Sequence, residues 1–268
     1  MADILQIKGV SKTYDGDGKN PLKALDGVDL NVAEGEFVSV IGPSGCGKST
    51  LFNIIGGLIG DHEGKVFIDG TEVDGAHKDV GVVFQEESTF PWRTTVDNVA
   101  FPLEIEGISK VERTKTARKF IKLVGLEGFE NHYPAQLSGG MKQRTAVART
   151  LAYEPRIMLL DEPFGALDEQ TRMLLGDKML DIWAQLKQTM LLITHNITEA
   201  VQLSDRVVVM SFRPGVIKDE ISIELPRPRT SEVISTPEFG KYVGKLWTLL
   251  REEASRGMAE SEAEIAAK

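Results

Sequence analysis

Residues 42–50 read Gly-Pro-Ser-Gly-Cys-Gly-Lys-Ser-Thr, between an apolar run, Phe37 to Ile41, and a helix-like run, Leu51 to Leu58. This is strand, glycine-rich loop and helix, with the spacing G-x-x-x-x-G-K-S of a phosphate-binding loop. Glycines let the backbone curl so that successive N–H groups face one anion, and the helix that follows adds the positive end of its dipole. The spacing places Lys48 to reach the β- and γ-phosphates of a nucleotide and Ser49 to hold Mg²⁺. A chain built on this loop is an α/β protein whose ligand lies at the carboxyl ends of its strands.

The 268 residues suffice for one large domain or two small ones, and 41% hydrophobic content supports a full core. A net charge of −9 disfavours a nucleic-acid surface as the main partner face. The single cysteine, Cys46, lies inside the loop, so no disulfide can form within the chain, which suits a reducing compartment. The N-terminus lacks the basic and apolar regions of a signal peptide, and no apolar run approaches the ~20 residues that span a bilayer.

Ile4–Val10 and Leu25–Val32 alternate as half-buried strands around a turn-rich segment, Asp15–Pro21. Further strands are expected at 37–41, 65–68 and 80–84, the early ones forming an antiparallel layer beside a parallel core. From about 88 to 152 the pattern is helical, with Ala117, Phe120, Ile121 and Val124 at helical spacing and Gly125 as a stop. Solid apolar strands follow at 157–160, 190–193 and 206–210, with a helix marked by Leu175, Met179, Ile182 and Leu186 between the first two. One more strand follows Arg213-Pro214-Gly215. Then come a proline-broken linker, Leu225–Arg229, a helical stripe of Phe239, Val243, Trp247 and Leu250, and a frayed tail from Glu252 to Lys268.

Chemistry-bearing residues recur at strand ends. Asp161 and Glu162 close a buried strand. Asp161 is placed to face a metal held by Ser49, and Glu162 to polarise an attacking water; capping of the next helix is the plainer role. His195 follows another apolar strand and could hydrogen-bond a γ-phosphate or serve the fold alone. Gln85, after Val82-Val83-Phe84, could ligate Mg²⁺, orient water or be an ordinary surface glutamine. Ser138-Gly139-Gly140 opens a helix. A plain N-cap explains the serine but not two adjacent glycines, each costly in a helix.

The order GPSGCGKST, Gln85, LSGGM, IMLLDEP, GALD and His195 resembles the ATP-binding subunit of ABC transporters over roughly residues 4–230. That resemblance implies a P-loop NTPase (RecA-like) core with an antiparallel β-subdomain and an inserted helical subdomain at about 88–152, making a nucleotide-binding domain of residues 1–230 followed by a C-terminal helix and tail, 231–268. It implies ATP and Mg²⁺ as ligands and Glu162 as general base. His195, Gln85 and Lys48 would assist in catalysis, and Ser49, Gln85 and Asp161 (through water) would hold the metal. Nucleotide contacts would come from Tyr14 (a stacking partner for adenine, or a strand-edge tyrosine), Gly42, Ser44, Gly45, Cys46, Gly47, Lys48, Ser49 and Thr50. Ser138, Gly139, Gly140 and Asp168 of a second copy would complete the site. Pro91-Trp92-Arg93-Thr94, LSGGM and Pro226-Arg227-Pro228-Arg229 resemble the nitrate, sulfonate and taurine importer branch. The implied partners are a second ATPase subunit, integral-membrane permease subunits and, indirectly, a solute-binding protein, at the cytoplasmic face of the cell membrane. A lipid or lipoprotein exporter and a soluble ABC ATPase are the alternatives.

Overall fold

The computed structural model describes residues 2–15, 21–85, 88–165 and 167–266, with side chains as far as Gly257. In chain order the elements are β1 (Asp3–Tyr14), β2 (Leu22–Ala33), β3 (Phe37–Ile41), α1 (Lys48–Ile55), β4 (Glu63–Ile68), β5 (Thr71–Glu72), β6 (Val80–Val83), α2 (Thr95–Ile105), α3 (Lys110–Leu123) and α4 (Gly139–Ala152). They continue with β7 (Ile157–Asp161), α5 (Glu169–Leu186), β8 (Thr189–Ile193), α6 (Ile197–Leu203), β9 (Arg206–Met210), β10 (Ile217–Ser222) and α7 (Pro237–Ala266). Most of the segment read as a turn at Asp15–Pro21, namely 16–20, lies outside the described residues, as does Ala166 of the GALD motif.

Two compact units are present: residues 1–77 with 189–268, and residues 78–188. In the first, β2, β1, β4 and β5 form an antiparallel sheet in that order. Beside it β3 pairs in parallel with both β8 and β9, and β10 lies antiparallel on β9. Every residue of β3 and of β8 is buried, because a parallel strand covered on both faces has no solvent side; their two polar members, Ser39 and Thr189, are bonded to the Ser204 hydroxyl and the Gly35 amide. In the second unit β6 and β7 run parallel, and α2, α3 and α4 all fall within residues 88–152. Ser109 and Thr94 cap α3 and α2 with their hydroxyls, and Gly125, at φ +71°, follows the end of α3.

The C-terminal region differs from its sequence reading. α7 continues unbroken through Ala266 rather than fraying from Glu252. Glu253 is buried and accepts a hydrogen bond from the Phe212 amide and an ion pair from Lys218, which gives an otherwise polar stretch a tertiary anchor. The buried stripe of α7 is Phe239 and Leu246, with Val243 and Leu250 against the same core; Trp247 is 60% exposed. Advancing by seven residues from Phe239 keeps Leu246 on the inner face, whereas Trp247 is rotated off it.

The proline-broken linker is a strap. Arg229 is only 4% exposed, and its guanidinium donates to the carbonyls of Leu225, Val201, Ser204 and Ile223. It therefore satisfies carbonyls at the end of α6 that have no partner within the helix. Burial draws its pKa down to about 10, still charged at neutrality. Arg227 pairs with Asp205 alongside. Arg229→Ala would leave those buried carbonyls unmet and should destabilise the fold by about 2–4 kcal/mol. Arg229→Lys should recover only part of that, since an ammonium lacks the guanidinium fork. Urea unfolding of the two variants measures both.

Candidate functional site

In the first unit β3 delivers the chain into the loop at Gly42. Gly45 (φ +74°) and Gly47 (φ +104°) adopt left-handed backbone, and a Cβ at Gly47 would lie 2.7 Å from the Ala24 carbonyl oxygen. Only glycine forms this turn without strain. Gly47 is the N-cap of α1 and offers no side-chain cap, so the first amides of the helix stay directed into the loop. Lys48 is buried, and its Nζ donates to the carbonyl oxygens of Gly42 (2.8 Å) and Pro43 (2.9 Å). Its ammonium is thereby held within the curl of the loop. Ser44, Gly45 and Ser49 are exposed.

Two further residues join the loop within this unit. The Tyr14 hydroxyl lies 3.3 Å from Thr50 Oγ1, and its ring, 38% exposed, carries Lys12 Nζ at 5.0 Å from its centroid. His195 is exposed two residues beyond Ile193, which pairs with Val40. Parallel register therefore brings His195 out level with Gly42, at the same end of the strands.

Cys46 lies inside the loop, yet its side chain is fully buried, 3.7 Å from Lys48 Nζ. Burial pushes the thiol pKa up, and the nearby Lys48 only partly offsets this. Its backbone amide donates to the Pro43 carbonyl oxygen at 3.3 Å. Iodoacetamide at pH 7.5 should label the native chain at about a hundredth of the rate found in urea or less, because reaction needs both access and thiolate.

In the second unit β6 and β7 end together, Val83 opposite Leu160. Gln85 and Glu162 emerge there, and Gln85 Nε2 donates to Glu162 Oε2 at 3.2 Å. Glu162 has φ +45°, a costly conformation for a residue with a Cβ and one that aims its carboxylate off the strand end. The turn beyond is tied by Gly165 N to the Glu162 carbonyl (3.1 Å) and by Arg172 to the carbonyls of Phe164 and Leu167. Asp168 caps α5 by accepting from the Thr171 amide, and that bond holds its carboxyl below the usual range.

Ser138 is the N-cap of α4, accepting from Met141 N at 3.3 Å. The two glycines separate in role. A Cβ on Gly140 would lie 3.2 Å from Leu167 Cδ2, so Gly140 serves close packing. Gly139 would meet nothing within 4 Å, so packing within the chain does not demand it.

Sequence reasoning missed the side chains that set the Phe90–Thr94 turn. Asn98 is buried. It accepts from the Phe90 amide and donates to the carbonyls of Phe90, Arg93 and Thr94. Arg149, far along the chain, bonds Ser88 and stacks over Phe90, which meets Phe101 edge-on at 4.7 Å. Trp92 stands 72% exposed beside them. An asparagine one turn into a helix is the only local signal; the Arg149 contact has none.

A glycine-rich phosphate loop on a parallel strand, in a chain whose strand β7 ends in two carboxylates, fits a nucleotide-binding ATPase. The sequence profile of the ABC transporter family matches residues 25–165. An uncharacterized ABC transporter ATP-binding protein of Methanocaldococcus jannaschii is 52% identical over 95% of this chain and 94% of its own length. A nitrate import ATP-binding protein of Synechocystis is 44% identical over 92% and 95%, and an aliphatic sulfonates import ATP-binding protein of Bacillus licheniformis 47% over 87% and 90%. A solved dimeric bacterial ABC transporter cassette aligns with a TM-score of 0.74 at 37% identity, over 83% of this chain and 100% of that one, and its post-hydrolysis dimer holds ADP and Pi. The chain belongs to the ABC transporter ATP-binding family, with the P-loop NTPase fold. It is an ATP hydrolase.

Proposed function

We propose that the chain powers a bacterial-type importer of a small anion of the nitrate or sulfonate kind. It would act as a dimer of ATPase subunits on membrane permease subunits, with a solute-binding protein as an indirect partner. Among the described residues no helix is long and apolar enough to cross a membrane. Attachment to the cytoplasmic face therefore falls to a docking surface. The observation that carries the importer reading is the Phe90–Thr94 turn. Asn98 and Arg149 hold it rigid, and it presents Trp92 to solvent next to a cleft of 410 Å³ lined by Phe90, Phe101, Pro102, Arg149 and Tyr153. The same turn carries the sequence likeness to the importer branch.

The family match and the local geometry support the following residue roles within this reading. Loop amides from Gly42 to Thr50 and the Lys48 ammonium bind the phosphates, with Ser44 adding a hydroxyl. Tyr14 stacks on the adenine, and His195 donates to the γ-phosphate. Ser49, Gln85 and Asp161 offer a hydroxyl, an amide oxygen and a carboxylate, the hard donors that suit Mg²⁺. Bound there, the ion would neutralise charge on the transferring phosphoryl group. Glu162 takes the proton of the attacking water, with Gln85 fixing its orientation. Ser138, Gly139 and Asp168 reach the nucleotide of a second copy. Gly139, uncrowded by its own chain, permits that approach, and Gly140 seats the helix start on Leu167. ATP that binds the closed dimer better than the open one draws it shut by mass action, and product release reopens it.

Glu162→Gln should retain ATP binding, lower kcat at least ~100-fold and accumulate dimer with ATP on gel filtration, while Lys48→Ala should lose binding. Hydrolysis at the normal rate by Glu162→Gln would remove Glu162 as the base. Trp92→Ala should leave basal ATPase activity of the isolated chain intact and impair co-purification with the permease or solute-stimulated hydrolysis; loss of nucleotide binding instead would refute the docking assignment.

A further inference from the structure

The outer side of the phosphate loop rests on a segment that the nucleotide roles do not use, Met210–Gly215. A Cβ at Gly42 would come within 3.0 Å of the Met210 carbonyl oxygen, and one at Gly215 within 2.1 Å of the Cys46 carbonyl oxygen. The two backbones are therefore in contact, and Gly215 cannot be replaced without moving the loop. Gly215 is fixed on its other side by bonds to Ala24 (2.9 Å) and Asp26 (3.1 Å). Arg213 reaches across to the loop, its Nε donating to the Gly45 carbonyl oxygen at 2.9 Å. Gly45 is one of the two left-handed glycines of the curl, and a bond to its carbonyl fixes the orientation of the peptide that carries the Cys46 amide.

This brace is anchored in turn by α7. Glu253 Oε2 accepts from the Phe212 amide at 2.9 Å, and Lys218 holds Oε1 at 2.8 Å. Gly257, one turn on, lies against the Phe212 ring, since a Cβ there would come within 2.7 Å of it. The path runs from α7 through Glu253 to Phe212, then through Arg213 to Gly45.

We propose that Arg213 is a positioning residue for the phosphate loop and that Glu253 holds Arg213 in place, so that the C-terminal helix sets the nucleotide affinity. The inference rests on the reading that Gly42–Thr50 holds the nucleotide. Loss of one oriented hydrogen bond corresponds to about a fivefold change in affinity. Fluorescent N-methylanthraniloyl-ATP, titrated into the purified full-length chain, should bind Arg213→Ala about fivefold more weakly, and Arg213→Lys should recover most of the loss. Glu253→Ala should weaken binding similarly, whereas Glu253→Gln, whose amide oxygen still accepts from Phe212, should bind close to the unaltered chain. The double variant Arg213→Ala/Glu253→Ala should be no weaker than Arg213→Ala alone, because both act on one path.

Additive losses in the double variant would overturn the relay from α7. Unchanged binding by Arg213→Ala, with Lys48→Ala abolished, would overturn the brace while leaving the loop reading intact. Unchanged binding by Lys48→Ala would instead refute the loop reading itself. Should Glu253→Ala fail to fold, Lys218→Ala carries the test to α7. Amide hydrogen exchange in residues 43–50 should quicken in Lys218→Ala as in Arg213→Ala, and exchange unchanged in Lys218→Ala overturns the role of the helix.

Discussion

A phosphate loop has to leave several amides directed at one point in space while every other polar group around it is satisfied. Lys48 resolves part of that conflict, donating to the Gly42 and Pro43 carbonyls of its own loop. Arg213 occupies the Gly45 carbonyl. These bonds fix the peptide planes of the loop, and the dipole of α1 adds its positive end to them. Much of the first unit serves this arrangement. The buried parallel strands β3 and β8 fix where the loop starts and where His195 emerges, and β9 leads into the segment that backs the loop.

The second unit solves a different problem, that of aiming side chains from strand ends. Glu162 leaves β7 in a left-handed conformation that its neighbours must enforce. Arg172, tied to Phe164 and Leu167, and the Gly165 bond to the Glu162 carbonyl stiffen the turn that follows. The Phe90–Thr94 turn is held the same way, by one buried asparagine and an arginine from another helix. Both are rigid loops built from polar bonds, the form expected where a protein must present a few groups in a set orientation.

The placement of the candidate residues was legible in their chain order. Gly42–Thr50, Gln85, Ser138–Gly140, Asp161-Glu162 and His195 each follow a recognisable strand or open a helix, and local patterning shows that much. Patterning could not separate Gly139 from Gly140, because only the position of Leu167 distinguishes packing from open space. Nor could it show that Cys46 faces inward, since a turn with two left-handed residues sends neighbouring side chains in directions that period rules do not describe. The tail misled for the same reason. Glu252–Gly257 has too few apolar residues to look folded, and it is held by Glu253 on the Phe212 amide and Lys218, by Glu252 on Lys218 and by Gly257 against the Phe212 ring.

The sequence by itself determined the class of the protein, since the spacing of the phosphate loop and the order of the later motifs are local properties carried by glycines, lysine and carboxylates at strand ends. Only the tertiary structure decided how those groups are held: Arg213 on Gly45, Asn98 beneath Trp92, Arg229 among four carbonyls and Glu253 under Phe212. These contacts join residues from four to 168 positions apart in the chain. A side chain's partner at such range is set by which elements pack together, and hydrophobic burial makes that choice without leaving a local pattern to read.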